Sequence, residues 1–173
     1  NNRRKLIVAL GAGVLGTPFG AFAQQQGKVW RVGFLAPISR PASLDSHFLG
    51  AFPRGMRELG SVEGKNLVIE WRFADGNFER LPGLAAELVH LKVDVILAAA
   101  TPATAAAQKA ASAIPIVFVN AGEPIGSGFI ISLAHPAGNI TGLTNMYADI
   151  SPKLLEMLLS MVPKLSHVGV MLN

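Results

Sequence analysis

The chain has 173 residues, half of them hydrophobic and only 15% charged, which suits one α/β domain or one domain and part of a second. It contains no cysteine, which excludes disulfides, thiolate metal sites and a lipid-bearing cysteine. Its net charge of +4 shrinks once Arg3, Arg4 and Lys5 are set aside with residues 1–23, because twelve basic and eleven acidic residues then remain. With no later basic stripe interleaved with aromatics, a nucleic-acid role is not expected.

A mean hydropathy of +0.40 is high for a soluble chain, and the first 23 residues account for much of it. The three basic residues precede an apolar run from Leu6 to Leu10, then small residues, then Ala21-Phe22-Ala23. A basic head, a short apolar middle and an A-x-A end read as a secretory signal peptide cleaved after Ala23, and the Arg3-Arg4 pair leaves either the Sec or the twin-arginine route open. The run is short of the roughly 20 apolar residues that a membrane-spanning helix needs. Gly11-Ala12-Gly13-Val14-Leu15-Gly16 matches a dinucleotide-binding pattern, but Asp45 is the first acidic residue, and Pro18 and Gly20 interrupt the helix that would face a pyrophosphate. No cofactor is expected.

Strands and helices alternate from residue 28 onward. Residues 29–36 predict a first strand ended by Pro37. Residues 45–59 predict a helix with Phe48, Phe52, Met56 and Leu59 on one face, Asp45 or Ser46 as its cap, and Gly60 at its end. Pro53 inside that span would cost about 3 kcal/mol in a helix interior, so a kink or a late start is expected. A second strand is read at 66–73, a helix at 79–91 with Leu84, Leu88 and Leu91 buried, and a third strand at 93–98. An alanine-rich helix at 103–111 and a fourth strand at 114–119 come next, Pro115 suiting a strand's beginning. A short helix at 126–133, a strand at 140–143, a helix at 151–161 and a strand at 168–172 complete the series. The last strand has no later partner, so the sequence reads as a piece of a longer chain. Trp30 and Trp71 fall in strands and are expected in the core.

Alternation of this kind implies an α/β fold with a parallel sheet sandwiched by helices. Ligands of such sheets bind beyond the carboxyl ends of the strands, which singles out the loops at 37–43, 99–104, 120–126 and 144–147. At the third strand, Thr101, Ala103 and Thr104 offer backbone N–H groups at a helix start, with threonine hydroxyls, for a carboxylate or another anionic group; Thr101 could equally be a plain helix cap. Ser39, Asn120 and Glu123 lie on the same rim. Glu123 has no histidine or serine partner in any local catalytic pattern, and Gly126-Ser127-Gly128 is not a nucleophile elbow. His47, His90, His135 and His167 lack metal-ligand spacing and are expected on surfaces or loops, so no metal is expected.

Several segments are recognisable together: Phe52-Pro53-Arg54-Gly55-Met56-Arg57-Glu58-Leu59-Gly60, Val62-Glu63-Gly64-Lys65-Asn66, Arg80-Leu81-Pro82-Gly83-Leu84, Val93-Asp94-Val95-Ile96, Thr101-Pro102-Ala103, Ile114-Pro115-Ile116-Val117, Glu123-Pro124-Ile125-Gly126, and Pro136-Ala137-Gly138-Asn139-Ile140-Thr141-Gly142. In this order the chain resembles the ABC transporter substrate-binding proteins related to tryptophan-binding lipoproteins, with a type I periplasmic-binding-protein fold. The resemblance implies residues 28–147 as an N-terminal lobe, 148–173 as the start of a truncated second lobe, and a ligand closed between them. It adds Asn145, on the lobe-crossing segment, to the candidate ligand residues. It also implies a periplasmic, monomeric, non-enzymatic receptor that passes a small organic molecule, such as an amino acid, to an ABC permease in the inner membrane. Glu123 stands where the family usually has aspartate, Ser61 where it has an aromatic, and Pro53 where it has a helix-compatible residue. An exported hydrolase-like enzyme and a ligand-sensing module for a membrane signalling partner are the alternatives.

Overall fold

The computed structural model describes residues 28–136, 138–145, 147–162 and 164–169; the signal-peptide reading of residues 1–23 and most of the strand expected at 168–172 lie outside them. Five strands form one sheet: β1 (Trp30–Ala36), β2 (Leu67–Phe73), β3 (Val95–Ala99), β4 (Ile116–Ala121) and β5 (Ile140–Thr144). All neighbouring pairs are parallel and the order is β2-β1-β3-β4-β5. Four helices accompany them: α1 (Ala51–Glu58), α2 (Leu81–His90), α3 (Ala100–Ala110) and α4 (Tyr147–Met161).

Period-two alternation along the strands builds two cores. On one face Leu35, Ile96, Ala98, Ile116, Phe118 and Ile140 meet Leu81, Ala85 and Leu88 of α2 and Ala103, Ala106 and Ala107 of α3. On the other, Val32, Phe34, Ile69 and Leu97 meet Leu49, Phe52 and Met56 beside α1. Glycine permits the closest contacts on the first face. A Cβ on Gly33 would press on the Leu88 side chain, and one on Gly142 would overlap the Phe118 carbonyl oxygen. Asn139 joins the start of β5 to the loop between α3 and β4, its Nδ2 donating to the carbonyls of Ala111 and Ile114 at 3.0 and 2.7 Å.

Several expectations are corrected. The element at 45–59 opens as a 3-10 turn, Phe48–Gly50, whose cap is His47; its side chain accepts the Leu49 N–H at 3.3 Å, in place of Asp45 or Ser46. The α-helix itself starts late, at Ala51, as expected from Pro53, which sits in the first turn, where no intrahelical N–H bond is lost. Leu59 is 83% exposed at the end of α1, not buried. Trp30 is 49% exposed at the sheet's amino end, with the Lys28 ammonium 3.9 Å from its ring centroid. Residues 126–133 form no helix: the chain turns once at 124–128, with the Ser127 N–H bonded to Glu123 O and the Phe129 N–H to Pro124 O. Gly128, at φ +72°, ends that turn. Helices α3 and α4 each begin earlier than the pattern indicated, at Ala100 and Tyr147.

At the amino end of the sheet, Asp94 accepts from Lys28 Nζ at 2.5 Å and from the Arg31 N–H at 2.8 Å. The hydrogen bond from Lys28 and then that from Arg31 hold its carboxyl below the ordinary aspartate value of 3.8, against a smaller opposing effect of desolvation. Because the folded-state value is depressed, the stabilisation is complete above 3.8 and is lost as pH falls through the lower folded value. Urea unfolding at about pH 6 and about pH 3 should therefore show a smaller acid-induced loss of stability in Asp94→Asn than in the parent. Gly142→Ala should lower stability by about 1–3 kcal/mol through overpacking against Phe118, read as a shifted urea midpoint with an unchanged slope.

Candidate functional site

In this strand order the chain moves from β1 outward to β2 and then returns to the other side of β1 for β3. The connections after β1 and β3 therefore leave on opposite faces, and a crevice opens between their carboxyl ends. The rim beyond those ends carries most of the candidate residues. Thr101 lies in the first turn of α3, whose cap residue Ala99 makes no side-chain capping bond. The helix start thus presents N–H groups and the positive end of its dipole.

Hydrogen bonds tie three strand ends together here. Thr101 Oγ1 accepts the Gly122 N–H at 3.0 Å, joining the α3 start to the loop after β4. The Thr101 hydroxyl therefore bridges two loops and does not serve as the helix cap. Asn145 Nδ2 donates to Asn120 Oδ1 at 2.7 Å, joining the ends of β4 and β5. Ala121 O accepts both Thr144 Oγ1, at 2.7 Å, and the Asn145 N–H, at 3.3 Å. Asn120 is the extra residue at a register shift in β4, a β-bulge that turns it out of the ladder. Asn145 Oδ1 is buried with no hydrogen-bond partner among the described residues.

Three non-glycine residues at this rim have positive φ: Ala100 at 65°, Asn120 at 58° and Glu123 at 44°. Such backbone costs of order 1–3 kcal/mol per residue and concentrates at functional sites. Asparagine is the residue type that tolerates it; alanine and glutamate are not, so Ala100 carried no signal in the sequence.

The structure brings Thr101, Asn120 and Asn145 into one network through Gly122, and Glu123 follows directly as an exposed side chain. Ser39 is exposed on the loop after β1 and takes no part in these bonds among the described residues. Ala103 is fully buried against the sheet. Thr104 is also fully buried, its hydroxyl donating to Ala100 O at 2.8 Å, so its side chain braces the strained helix start. Gly122, Thr144 and Ala100 are the rim residues that sequence reasoning missed; two of them act through backbone atoms. Among the described residues no group of histidine, aspartate and glutamate could hold a metal ion.

The left-handed conformation of Asn120 sets a direct test. Asn120→Gly should keep the fold within about 0.5 kcal/mol, while Asn120→Val should destabilise it by roughly 1–3 kcal/mol, because a β-branched side chain is strained at positive φ. Thermal unfolding of the two variants side by side measures the difference.

Known proteins share this fold. A tyrosine-binding protein of Clostridioides difficile (strain R20291) is 29% identical over 98% of this chain and 52% of its own length. The crystal structure of a conserved domain protein from Vibrio cholerae superposes with a TM-score of 0.70 at 30% identity, covering 79% of this chain and 45% of that one. An ABC domain from Streptococcus pneumoniae solved in complex with L-Trp gives 0.59 at 27% identity, covering 66% and 38%. The chain thus spans about half the length of the curated relative it matches. With residues 31–173 matching the family described as ABC transporter substrate binding protein, and with the parallel α/β sheet described above, the chain belongs to that family.

Proposed function

We propose that this chain is the ligand-gripping first lobe of an extracytoplasmic receptor that captures an amino acid and hands it to an ABC permease, without chemistry on the ligand. The observation that carries the reading is the pairing of unlike charges on one rim. The uncapped start of α3 favours a carboxylate, and the Glu123 side chain, three residues beyond Asn120, favours an ammonium group. A zwitterion meets both. The polar groups between them are amides, a hydroxyl and backbone N–H groups, which can replace a solute's water shell. The names of the two relatives, one tyrosine-binding and one solved with L-Trp, support the same class.

Residues 28–147 are proposed as the first lobe and 148–173 as the start of the second. Helix α4 supports this division: Leu154, Leu155, Met157, Leu158, Leu159 and Met161 are all exposed on it, while Lys153 and Glu156 pair on its polar side. An apolar face this broad calls for further chain to cover it, and relatives of twice this length have that chain. Export by residues 1–23 and action as a monomer complete the proposal. Among the described residues no helix is long and apolar enough to cross a membrane.

The experiment is a thermal-shift panel of amino acids and small acids on the full-length protein. A ligand at a hundred times its Kd should stabilise by about 2.7 kcal/mol, a rise of several degrees in Tm. Thr101→Val should weaken that ligand about tenfold, since the Gly122 N–H loses its acceptor. No stabilisation by any panel member, with turnover of an ester or peptide instead, would sink the receptor reading.

A further inference from the structure

The two banks of the crevice are held in different ways. Beyond β3 and β4, side chains tie the rim: Thr101 Oγ1 to Gly122, Thr104 Oγ1 to Ala100 and Asn145 Nδ2 to Asn120. Beyond β1, the chain runs through residues 37–47 before the 3-10 turn, against a usual connection of about 4–6 residues. The first carbonyls of that loop are held from the end of the neighbouring strand. The successive amides of Ala74, Asp75 and Gly76, after β2, donate to Ala36 O, Ile38 O and Pro37 O at 2.9, 3.2 and 2.8 Å.

We propose that Arg80 is a positioning residue for this bank: it fixes the turn after β2, and that turn holds the loop after β1 at the edge of the crevice. The inference rests on the receptor reading for what the bank serves; the tie between the two loops stands apart from it. The turn needs a brace because two left-handed residues follow each other in it, Asp75 at φ +56° and Gly76 at φ +78°. Glycine adopts such backbone freely, whereas aspartate does so at some cost. Arg80 Nη1 donates to Asp75 Oδ2 at 2.5 Å and to Ala74 O at 3.3 Å, so one nitrogen clasps both residues.

Arg80 acts from a fixed base. It closes the 3-10 turn Phe78–Arg80, which Asn77 caps by accepting the Glu79 N–H at 3.0 Å, and α2 begins at the next residue. That residue, Leu81, is buried in the core. The Asn77 N–H also returns to Ala74 O, at 3.0 Å, and closes the turn from its other side. The Arg80 and Asp75 side chains are each about half exposed, so their pairing adds little to the stability of the whole fold. Its effect is local: it biases the turn that carries two of the amides holding the bank.

Amide hydrogen exchange, followed by NMR on the full-length protein, tests the proposal in Arg80→Gln, Arg80→Lys, Asp75→Asn and the Asp75→Asn/Arg80→Gln double variant. In Arg80→Gln, exchange at Asp75 and Gly76 should speed up about threefold or more, while amides of α3 stay within about 1.5-fold and Tm within about 2 °C of the parent. Arg80→Lys keeps the charge and should recover most of the protection. In the Asp75→Asn background, Arg80→Gln should add less than about 1.5-fold, because the carboxylate it acts through is gone. Unchanged exchange in Arg80→Gln overturns the proposal, as does a speed-up shared equally by α3 or an undiminished effect in the Asp75→Asn background. Calorimetric affinity for L-tyrosine, the probe, should fall about threefold in Arg80→Gln and return in Arg80→Lys. Unchanged affinity beside faster exchange overturns the bank's part in binding. A parent that binds no L-tyrosine bears on the receptor reading alone, and exchange then decides the role of Arg80.

Discussion

Parallel strands must all end on the same edge of their sheet, and in this protein everything functional follows from where those ends fall. Each parallel connection has to return across a face of the sheet, so helices cover the strands and loops collect beyond the carboxyl ends. The reversal of direction between β1 and β3 separates two of those loops and opens a crevice that no side chain had to create. The ends of β3, β4 and β5 thus meet on one rim, although the residues involved are as distant in sequence as Thr101 and Asn145.

The rim is held by local opposition between strain and hydrogen bonding. Ala100, Asn120 and Glu123 have backbones that L-residues avoid, and each is braced. Thr104 Oγ1 donates to Ala100 O, Asn145 Nδ2 donates to Asn120, and Glu123 O accepts the Ser127 N–H. Residues held this way would reorganise little on taking up a solute, so less ordering entropy would oppose the proposed binding. The groups facing the rim are dipoles and one carboxylate, which suits the proposed receptor. Beside the rim lies an apolar cavity.

Much of the architecture was legible in the chain because period and punctuation agreed. Alternation at 67–73 and the apolar runs at 30–36, 95–99 and 116–121 were read as strands to within a few residues, and the helices between them made the sheet parallel. Failures had local causes. Phe48 and Leu59 fit the helical face by spacing, yet one lies in a 3-10 turn and the other at the helix end, and both are exposed. Trp30 resembled core by type, but it sits at the sheet's amino end, half exposed beside Lys28. At 126–133 the apolar spacing was helical, while Gly126 and Gly128 allowed the chain only a single turn.

For the site, the residues named from the rule about strand ends mostly fall on the rim, while the bonds they make there were not legible. Thr101 was weighed as a ligand group or a cap, and its hydroxyl bridges to Gly122; Thr104 was weighed as a ligand group, and its buried hydroxyl braces Ala100. Neither role has a local pattern, because each depends on a partner across a turn or across the sheet. What the amino-acid order determined by itself was the succession of strands and helices, since periodicity and turn residues are local properties. Tertiary structure alone decided which loops meet, which backbone is strained, and that three phenylalanines from three elements share one cavity, because those facts arise only when segments far apart in the chain pack together.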